Sequence, residues 1–238
     1  MKALFFDIFG TLVDWRSSIV FKAKKLSVFN NNISTIEKFV IMWRKEYQPI
    51  LNKVNKSLIE WKTLDELHGI TLDELCKKMK ITEIKTREKK FLINQWHNLE
   101  PWSDSCEGLN ELSKEYVTAS LSNGNIKLQK NLIRHAKLKF DFIFSAEHFR
   151  KYKPHKKVYL GATEMLNLYP NQCALVASHK NDLLAASKIG MKTIFINRKD
   201  EYGKFKGEFK ETNFTPDIKV SKITDISKEI KSYLGRIK

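Results

Sequence analysis

Asp7 is the residue of this sequence best placed for covalent chemistry. It lies in a short apolar and aromatic run, residues 3–9, which Gly10-Thr11 ends. Such a run predicts a buried strand that stops at a turn. A buried carboxylate without a role is costly, whereas a carboxylate at a strand end can attack an electrophile and form a covalent intermediate. On this pattern alone, an ordinary turn or helix-capping aspartate remains open.

Polar residues also end or follow later strand-like runs. The runs are 117–122, 142–145 and 174–178, with two further ones at 193–197 and 218–220. The polar positions at the first three are Ser122, Asn123, Ser145, the basic segment 150–154, Ser178, His179, Asn181 and Asp182. Because parallel strands end at one edge of a sheet, and ligands bind beyond that edge, these positions are site candidates.

The elements that would position these residues fall into two groups. Strand and helix patterns alternate after Pro101, which predicts a parallel α/β sheet. Residues 15–98 show helical spacing instead, with Pro49 and residues 52–57 expected to separate helices. We therefore predict an α/β fold, a doubly wound parallel-sheet (Rossmann-like) core of residues 1–14 and 99–238, with an all-helical cap of residues 15–98 inserted.

The charge of the chain narrows the class of partner. Its formal net charge is +16, from 43 basic and 27 acidic residues, and most of the basic residues are lysines spread over the whole chain. Proteins that read nucleic acids rely on arginine for bidentate contacts. We expect no nucleic-acid partner, although the positive field could attract a small anionic substrate.

Hydropathy and cysteine usage indicate the compartment. The sequence contains no apolar run of the ~20 residues that span a bilayer, and its first residues lack a signal-peptide pattern. We expect no membrane partner and a cytoplasmic location. The three cysteines, Cys76, Cys106 and Cys173, are far apart and predict reduced thiols.

The segment Asp7-Ile-Phe-Gly-Thr-Leu12 resembles the first signature of the haloacid dehalogenase (HAD) superfamily. Ser122, Lys153 and Asp182 match the second, third and fourth signatures in order. Four ordered matches are a specific signal, whereas any one alone would be weak. The resemblance covers the whole chain and implies a HAD core with a cap.

Finer matches resemble the (S)-2-haloacid dehalogenase, or type II, subgroup. They are the segments 7–15, 43–47, 121–124 and 152–154, together with Val158-Tyr159. The resemblance implies that Asp7 displaces halide from C2 with inversion, and that water then attacks the side-chain carbon of the aspartyl ester. It implies no metal and no organic cofactor, and it leaves a homodimer open.

Phe9 is where the sequence departs from the HAD phosphatases. Those enzymes generally carry an aspartate two residues after the nucleophile, which protonates the leaving oxygen and then activates water. Phe9 cannot transfer a proton. A halide leaves without one, so an apolar residue at this position fits carbon–halogen chemistry.

The resemblance implies catalytic roles for four further residues. Thr11 and Ser122 hydrogen-bond the carboxylate of Asp7 or of the substrate. Lys153 keeps Asp7 ionised. Asp182 holds Lys153 or helps to activate water. Without the resemblance, Lys153 would be read as a surface lysine, and Asp182 could be a helix N-cap, with or without a further function.

The resemblance also implies a substrate-binding set. Arg44 on the cap grips the anionic substrate or the departing halide, and Asn123 donates to the halide. Phe9 and Trp61 form apolar walls, and Tyr159 orients the Lys153 region. Arg44 could instead be a solvent-reaching cap side chain, and Trp61 and Tyr159 core aromatics.

The fourth signature differs from the pattern Ser-Ser-Asn-x-x-Asp of well-known members of the subgroup. It reads Ala177-Ser-His-Lys-Asn-Asp182, so Ala177 removes a hydroxyl and His179 replaces an amide. Imidazole titrates near neutral pH, so His179 is a candidate for water activation or binding, or a structural histidine.

The leading hypothesis is therefore a cofactor-free hydrolase of short 2-haloalkanoic acids that gives 2-hydroxy acid and halide. The second is a magnesium-dependent phosphatase of small phosphoesters, with oxygen ligands to the metal. The third is a non-catalytic binding protein with the HAD fold.

Overall fold

A computed structural model describes residues 1–209 and 212–236 of the chain. Its strands are β1 (Ala3–Phe6), β2 (Val13–Asp14), β3 (Glu100–Pro101), β4 (Val117–Ser122), β5 (Phe142–Ser145), β6 (Cys173–Ala177), β7 (Lys192–Ile196) and β8 (Ile218–Val220). Its α-helices are α1 (Trp15–Ala23), α2 (Ile33–Lys45), α3 (Tyr47–Asn55), α4 (Leu64–Lys78), α5 (Thr86–Gln95), α6 (Ser105–Leu112), α7 (Ile126–His135), α8 (Ala146–Phe149), α9 (Lys156–Met165), α10 (Lys180–Ser187) and α11 (Ile226–Arg236).

Within the described residues, six strands form one sheet in the order β5-β4-β1-β6-β7-β8. Every neighbouring pair in it is parallel. The order reverses at β1, which pairs with β4 on one side and β6 on the other. This is the doubly wound order, in which ligands bind beyond the carboxyl end of the strand at the reversal. The predicted doubly wound α/β fold is confirmed, and Asp7 follows the strand at that point.

β1 is apolar throughout because helices cover both faces of the sheet. Leu4 and Phe6 pack into one buried cluster, which includes side chains of α7 and α11. Ala3 and Phe5 pack into a second cluster with side chains of α9 and α10. Successive side chains of a strand point to opposite faces, so a strand buried on both faces is a continuous apolar run. That run places Asp7 at a fully buried strand end.

The helices α1 to α5 form the segment between β1 and the rest of the sheet, and a small ribbon joins its two ends. β2 and β3 pair antiparallel, with Val13 opposite Pro101 and Asp14 opposite Glu100. The chain therefore leaves the core and returns to it at one place, as expected of an inserted helical cap.

The exact division into core (1–14 and 99–238) and cap (15–98) stays a prediction. Residues 210, 211, 237 and 238 of that core range lie outside the described residues. Within the described segments, no helix has both the length and the apolar composition to cross a bilayer.

Two local predictions from the sequence are wrong. Pro49 does not separate helices but lies in the first turn of α3, where its missing N–H has no intrahelical acceptor to lose. The first strand ends at Phe6, and Phe9 makes an isolated bridge to Val13 instead. The apolar character of Phe9 thus reflects its burial beside the site, outside the strand.

Gly108 of α6 approaches the chain around Ile223 closely. A Cβ built on Gly108 would lie 2.3 Å from Ile223 Cγ2 and 3.0 Å from the main-chain carbonyl carbon of Ile223. Alanine favours a helix over glycine by up to about 1 kcal/mol. Forcing an extra methyl into a packed contact costs about 1–3 kcal/mol, so the overlap should outweigh the gain.

We therefore predict that Gly108→Ala lowers the free energy of unfolding by about 1 kcal/mol or more, measured by urea denaturation. The control is Gly235→Ala in α11, where an added Cβ meets no atom within 4 Å, and it should be neutral or stabilising. A Gly108→Ala protein as stable as the wild type would contradict this packing.

Candidate active site

Asp7 is held at the carboxyl end of β1 by hydrogen bonds to both of its carboxylate oxygens. Its N–H donates to the Val176 carbonyl of β6 over 3.0 Å. Thr11 Oγ1 donates to Oδ2 over 2.8 Å, and Lys153 Nζ donates to Oδ1 over 3.0 Å. The side chain is 8% exposed. The carboxylate is therefore fixed in direction and nearly shielded from water.

Lys153 bridges two buried carboxylates. Besides Asp7, its Nζ donates to Asp182 Oδ2 over 2.6 Å. Tyr159 donates its hydroxyl proton to the other oxygen of Asp182 over 2.5 Å. Asp182 belongs to the first turn of α10 and Tyr159 to α9. The structure thus brings together Asp7, Lys153, Asp182 and Tyr159, which the sequence places on four different elements.

The charges of this group settle its protonation. Burial alone would raise the pKa of Asp7, but Lys153 and His179 hold that pKa well below its usual range. Burial alone would lower the pKa of Lys153, and the carboxylates of Asp182 and Asp7 raise it above its usual value. At neutral pH Asp7 is therefore an ionised carboxylate, the form that attacks an electrophile.

Thr11 connects the loop after β1 to the loop after β6. Its Oγ1 accepts a hydrogen bond from the Ser178 N–H over 2.9 Å and lies 3.2 Å from Ser178 Oγ. Because the same hydroxyl donates to Asp7, the two loops hold the carboxylate together. This contact agrees with the first of the two partners predicted for Thr11.

Ser122 and Asn123 lie at the end of β4 on the other side of β1. Ser122 is fully buried, and its Oγ accepts a hydrogen bond from the Gly124 N–H over 3.1 Å. The described contacts of Ser122 do not include a hydrogen bond to Asp7. Of the two partners predicted for Ser122, the substrate carboxylate therefore stays a prediction. Asn123 Oδ1 accepts from the Lys153 N–H over 2.7 Å, so Asn123 fixes the backbone of the lysine.

Arg44 reaches the site from α2 of the cap. Its guanidinium lies 4.1 Å from the ring centre of Tyr47 and 5.4 Å from that of Trp15. Its Nη1 is buried, and no hydrogen-bond acceptor for it lies within the described segments. A buried donor without an acceptor is costly, so the predicted role of Arg44 in binding an anion stays a candidate role.

Phe9 and Trp61 take different positions. Phe9 is 2% exposed and meets Trp96 edge-on, with ring centres 5.8 Å apart. The ring of Trp61 stacks on that of Tyr152, with ring centres 4.5 Å apart. Trp61 therefore packs against the residue that precedes Lys153. Its role as a wall of the site stays a prediction.

Comparison with known proteins adds the family. A model for the haloacid dehalogenase-like hydrolases matches residues 1–190. The chain belongs to this family. The match spans the strand of Asp7, the cap helices and the positions of Lys153 and Asp182.

Individual relatives of this HAD hydrolase place it in a subgroup. (S)-2-haloacid dehalogenase 4A of Burkholderia cepacia is 28% identical over 206 residues, which cover 83% of this chain and 84% of that protein. The crystal structure of an L-2-haloacid dehalogenase has a TM-score of 0.88 and 35% identity over 97% of this chain and 99% of its own. The structure of a defluorinating L-2-haloacid dehalogenase has a TM-score of 0.89 and 34% identity over 97% and 95%. The resemblance to the (S)-2-haloacid dehalogenase subgroup is confirmed, and the chain is an enzyme of the hydrolase class.

His179 of this HAD hydrolase lies between two carboxylates. Its Nδ1 is 3.3 Å from Asp7 Oδ2, and its Nε2 is 2.8 Å from Glu201 Oε1. Burial alone would lower the pKa of His179, but Glu201 and Asp7 outweigh it and raise the pKa to about 10. His179 is therefore an imidazolium at neutral pH.

Glu201 is the residue of this HAD site that the sequence analysis misses. It is 2% exposed and accepts hydrogen bonds from Trp15 Nε1 over 3.0 Å and Ser178 Oγ over 3.2 Å. Gly10, at φ +85°, makes room for it, because a Cβ there would lie 2.1 Å from Glu201 Oε1. Glu201 follows the end of β7, and extending the search for polar residues to that strand end would have included it.

The HAD site as a whole sets three carboxylates against three cations. The carboxylates are those of Asp7, Asp182 and Glu201, and the cations are Lys153, His179 and Arg44. This arrangement supplies an ionised nucleophile, a fixed ammonium group beside it and a guanidinium for an anion. It can support attack by a carboxylate on a small anionic substrate.

The raised pKa of His179 should make the stability of this HAD hydrolase depend on pH. A histidine whose pKa rises on folding stabilises the folded state fully below its unfolded pKa of 6.5, and this stabilisation is lost as the pH rises through about 10. We predict that the free energy of unfolding falls between pH 6.5 and 10, and that His179→Asn flattens the decline. Urea denaturation at a series of pH values measures both.

The control for this pH series is His135→Asn, which alters the exposed pair of His135 with Glu100. It should keep the wild-type slope. If His179→Asn also kept that slope, His179 would not be the buried imidazolium described above.

Proposed function

We propose that this protein hydrolyses short 2-haloalkanoic acids to 2-hydroxy acids and halide through a covalent ester on Asp7. The observation that carries the proposal is an ionised, buried Asp7 with apolar Phe9 at the position where HAD phosphatases have their acid. A leaving oxygen benefits from that acid, because an alkoxide leaves poorly without a proton. A halide does not need it.

In the first step one carboxylate oxygen of Asp7 attacks C2 of the substrate. The carbon–halogen bond breaks, its electron pair leaves with the halide, and C2 inverts because the attack comes from the opposite side. Thr11 and Lys153 hold the carboxylate in one orientation, which lowers the entropic cost of reaching this geometry. The apolar side of the site, with Phe9 and Trp96, keeps water from the reacting pair.

Arg44 is the proposed anchor for the substrate carboxylate or the departing halide. Its unpaired buried Nη1 supports this role, because a charge-assisted hydrogen bond to an anion would satisfy it. Ser122 and Asn123 are proposed as further donors, Ser122 to the carboxylate and Asn123 to the halide. The anion is thus held between the cap helix α2 and the end of β4.

In the second step water attacks Cγ of the Asp7 ester and releases the 2-hydroxy acid. We propose that neither step needs a metal or an organic cofactor. Phe9 weighs against the phosphatase alternative, because it cannot protonate a leaving oxygen or activate water.

Asp7→Asn should reduce chloride release from L-2-chloropropionate to the background rate, because a neutral carboxamide is a far weaker nucleophile than a carboxylate. Ion chromatography of wild-type and variant reactions measures it, with chloroacetate, fluoroacetate and D-2-chloropropionate as parallel substrates. The control is Asp225→Asn, which changes an exposed aspartate in the turn Ile223–Asp225 that precedes α11. Undiminished chloride release by Asp7→Asn would remove Asp7 from the mechanism.

Arg44→Lys should raise KM for 2-chloropropionate by about 10- to 100-fold, because losing a charge-assisted contact costs about 1.5–3 kcal/mol. Lysine keeps the positive charge but lacks the planar donor pair. Steady-state chloride release measures the change, with Arg87→Lys on the exposed side of α5 as the control. Unchanged KM and kcat would show that Arg44 does not bind the substrate.

The phosphatase reading is tested on the same preparation. With p-nitrophenyl phosphate and magnesium we expect no turnover above background. Magnesium-stimulated phosphate release with no halide release from any haloacid would overturn the proposed function.

A further inference from the structure

Each ring nitrogen of His179 faces a different carboxylate. Nδ1 lies 3.3 Å from Asp7 Oδ2, on the side of the nucleophile, and Nε2 lies 2.8 Å from Glu201 Oε1. The imidazole is 24% exposed, whereas the Glu201 side chain is 2% exposed. The nitrogen beside the reacting carboxylate is therefore oriented by a buried acid behind it, and water can reach the ring.

Glu201 is fixed independently of His179. Its carboxylate accepts hydrogen bonds from Trp15 and Ser178, and its main-chain oxygen accepts one from Arg16 Nε over 3.2 Å. The absence of a side chain at Gly10 lets the carboxylate approach the loop after β1. A carboxylate so constrained can hold an imidazole in one orientation and one tautomer.

We propose that His179 is the general base that activates water for hydrolysis of the Asp7 ester, and that Glu201 is the residue that positions it. This inference rests on the proposed function, because it concerns the second step of that reaction. It gives Glu201 a role and makes His179 Nδ1 the acceptor of the proton that the attacking water loses.

Asp182 is the other carboxylate near Asp7, and its contacts leave it poorly suited to be this base. One of its oxygens accepts from Lys153 over 2.6 Å and the other from Tyr159 over 2.5 Å. Both oxygens are thus already engaged, one by the lysine and the other by the tyrosine. His179 Nδ1, in contrast, has Asp7 itself as its partner, and esterification of Asp7 releases it.

The proton balance follows from that release. When Asp7 becomes an ester it loses its negative charge, so His179 loses one of its two carboxylate partners and gives its Nδ1 proton to solvent. Water then transfers a proton to Nδ1 while its oxygen bonds to Cγ. The tetrahedral intermediate expels the alkoxide of the 2-hydroxy acid, which takes the Nδ1 proton.

The remaining carboxylic acid of Asp7 passes its proton to His179, which restores the imidazolium and the carboxylate. One proton is released to solvent in each turnover. The overall reaction, haloacid anion plus water to hydroxy acid anion plus halide plus proton, requires this number.

The charged and titratable groups around His179 favour the proton loss once the ester has formed. The groups that act directly on its pKa are Asp7 after β1 and Glu201 after β7. Around these two carboxylates lie Lys153 with its partner Asp182, Arg44 and Tyr47 from the cap, and Tyr202; Lys180 follows His179 in the chain. Loss of the Asp7 charge removes one of the two carboxylates that hold the imidazolium. Glu201 remains to accept the Nε2 proton in a hydrogen bond.

The two steps can be separated by rapid quench of enzyme in excess over L-2-chloropropionate. Chloride reports formation of the ester, 2-hydroxypropionate reports its hydrolysis, and intact-protein mass reports the ester itself. We expect His179→Asn to release chloride in the first turnover and then to hydrolyse the ester about 10²-fold or more slowly than the wild type. Glu201→Gln should show the same pattern with a smaller slowing, and the ester should accumulate in both variants.

Glu100→Gln, which alters the exposed His135 pair, is the matched control and should leave both steps unchanged. In the wild type, the rate of ester hydrolysis should rise with pH to a plateau, and this dependence does not require a variant to fold. A wild-type ester-hydrolysis rate independent of pH would overturn the inference. The inference would also fail if His179→Asn hydrolysed the ester at the wild-type rate. It would fail as well if this variant slowed chloride release and ester hydrolysis equally and accumulated no ester. If the wild type released no halide from any haloacid, the proposed function itself would fail.

Discussion

The ammonium group of Lys153 lies between two buried carboxylates, and the rest of the site depends on that contact. Removing one partner of a buried ion pair costs about 3–5 kcal/mol, because the other charge is left without compensation. Lys153, together with His179, therefore keeps Asp7 ionised at a buried strand end. Lys153 in turn needs Asp182 and the Asn123 side chain to hold it in place.

The doubly wound sheet satisfies this requirement by bringing distant segments to one edge. The loop after β1 supplies Asp7, the segment after α8 supplies Lys153, and α10 supplies Asp182. The cap adds Arg44 from α2. Asn55 of α3 also bonds the N–H and the carbonyl of Tyr152, so the cap contacts the residue before Lys153.

Much of this could be predicted from the sequence because it is local. The strand 117–122 agrees residue for residue with β4, and the polar strand ends do converge. Phe9 could be singled out because it stands at a fixed distance from Asp7. Burial of a strand on both faces leaves a continuous apolar run, which is a strong signal even in one sequence.

The end of β7 could have pointed only to a group of polar residues that includes Glu201, and nothing local singles Glu201 out. It lies beyond β7 in an irregular segment, and its partner Trp15 is 186 positions away. No spacing rule connects two such residues, because only the folded loops bring them together. Pro49 is misleading for the opposite reason, since in the sequence alone a proline in the first turn of a helix resembles a helix break.

The central claim is that the carboxylate of Asp7, and not water, attacks the substrate carbon. A single turnover of L-2-chloropropionate by excess enzyme in ¹⁸O-labelled water tests it directly, with mass analysis of the product and of the peptide that contains Asp7. The account predicts an unlabelled hydroxyl group in the first product and ¹⁸O in the Asp7 carboxylate. A labelled product together with an unlabelled Asp7 peptide would contradict it.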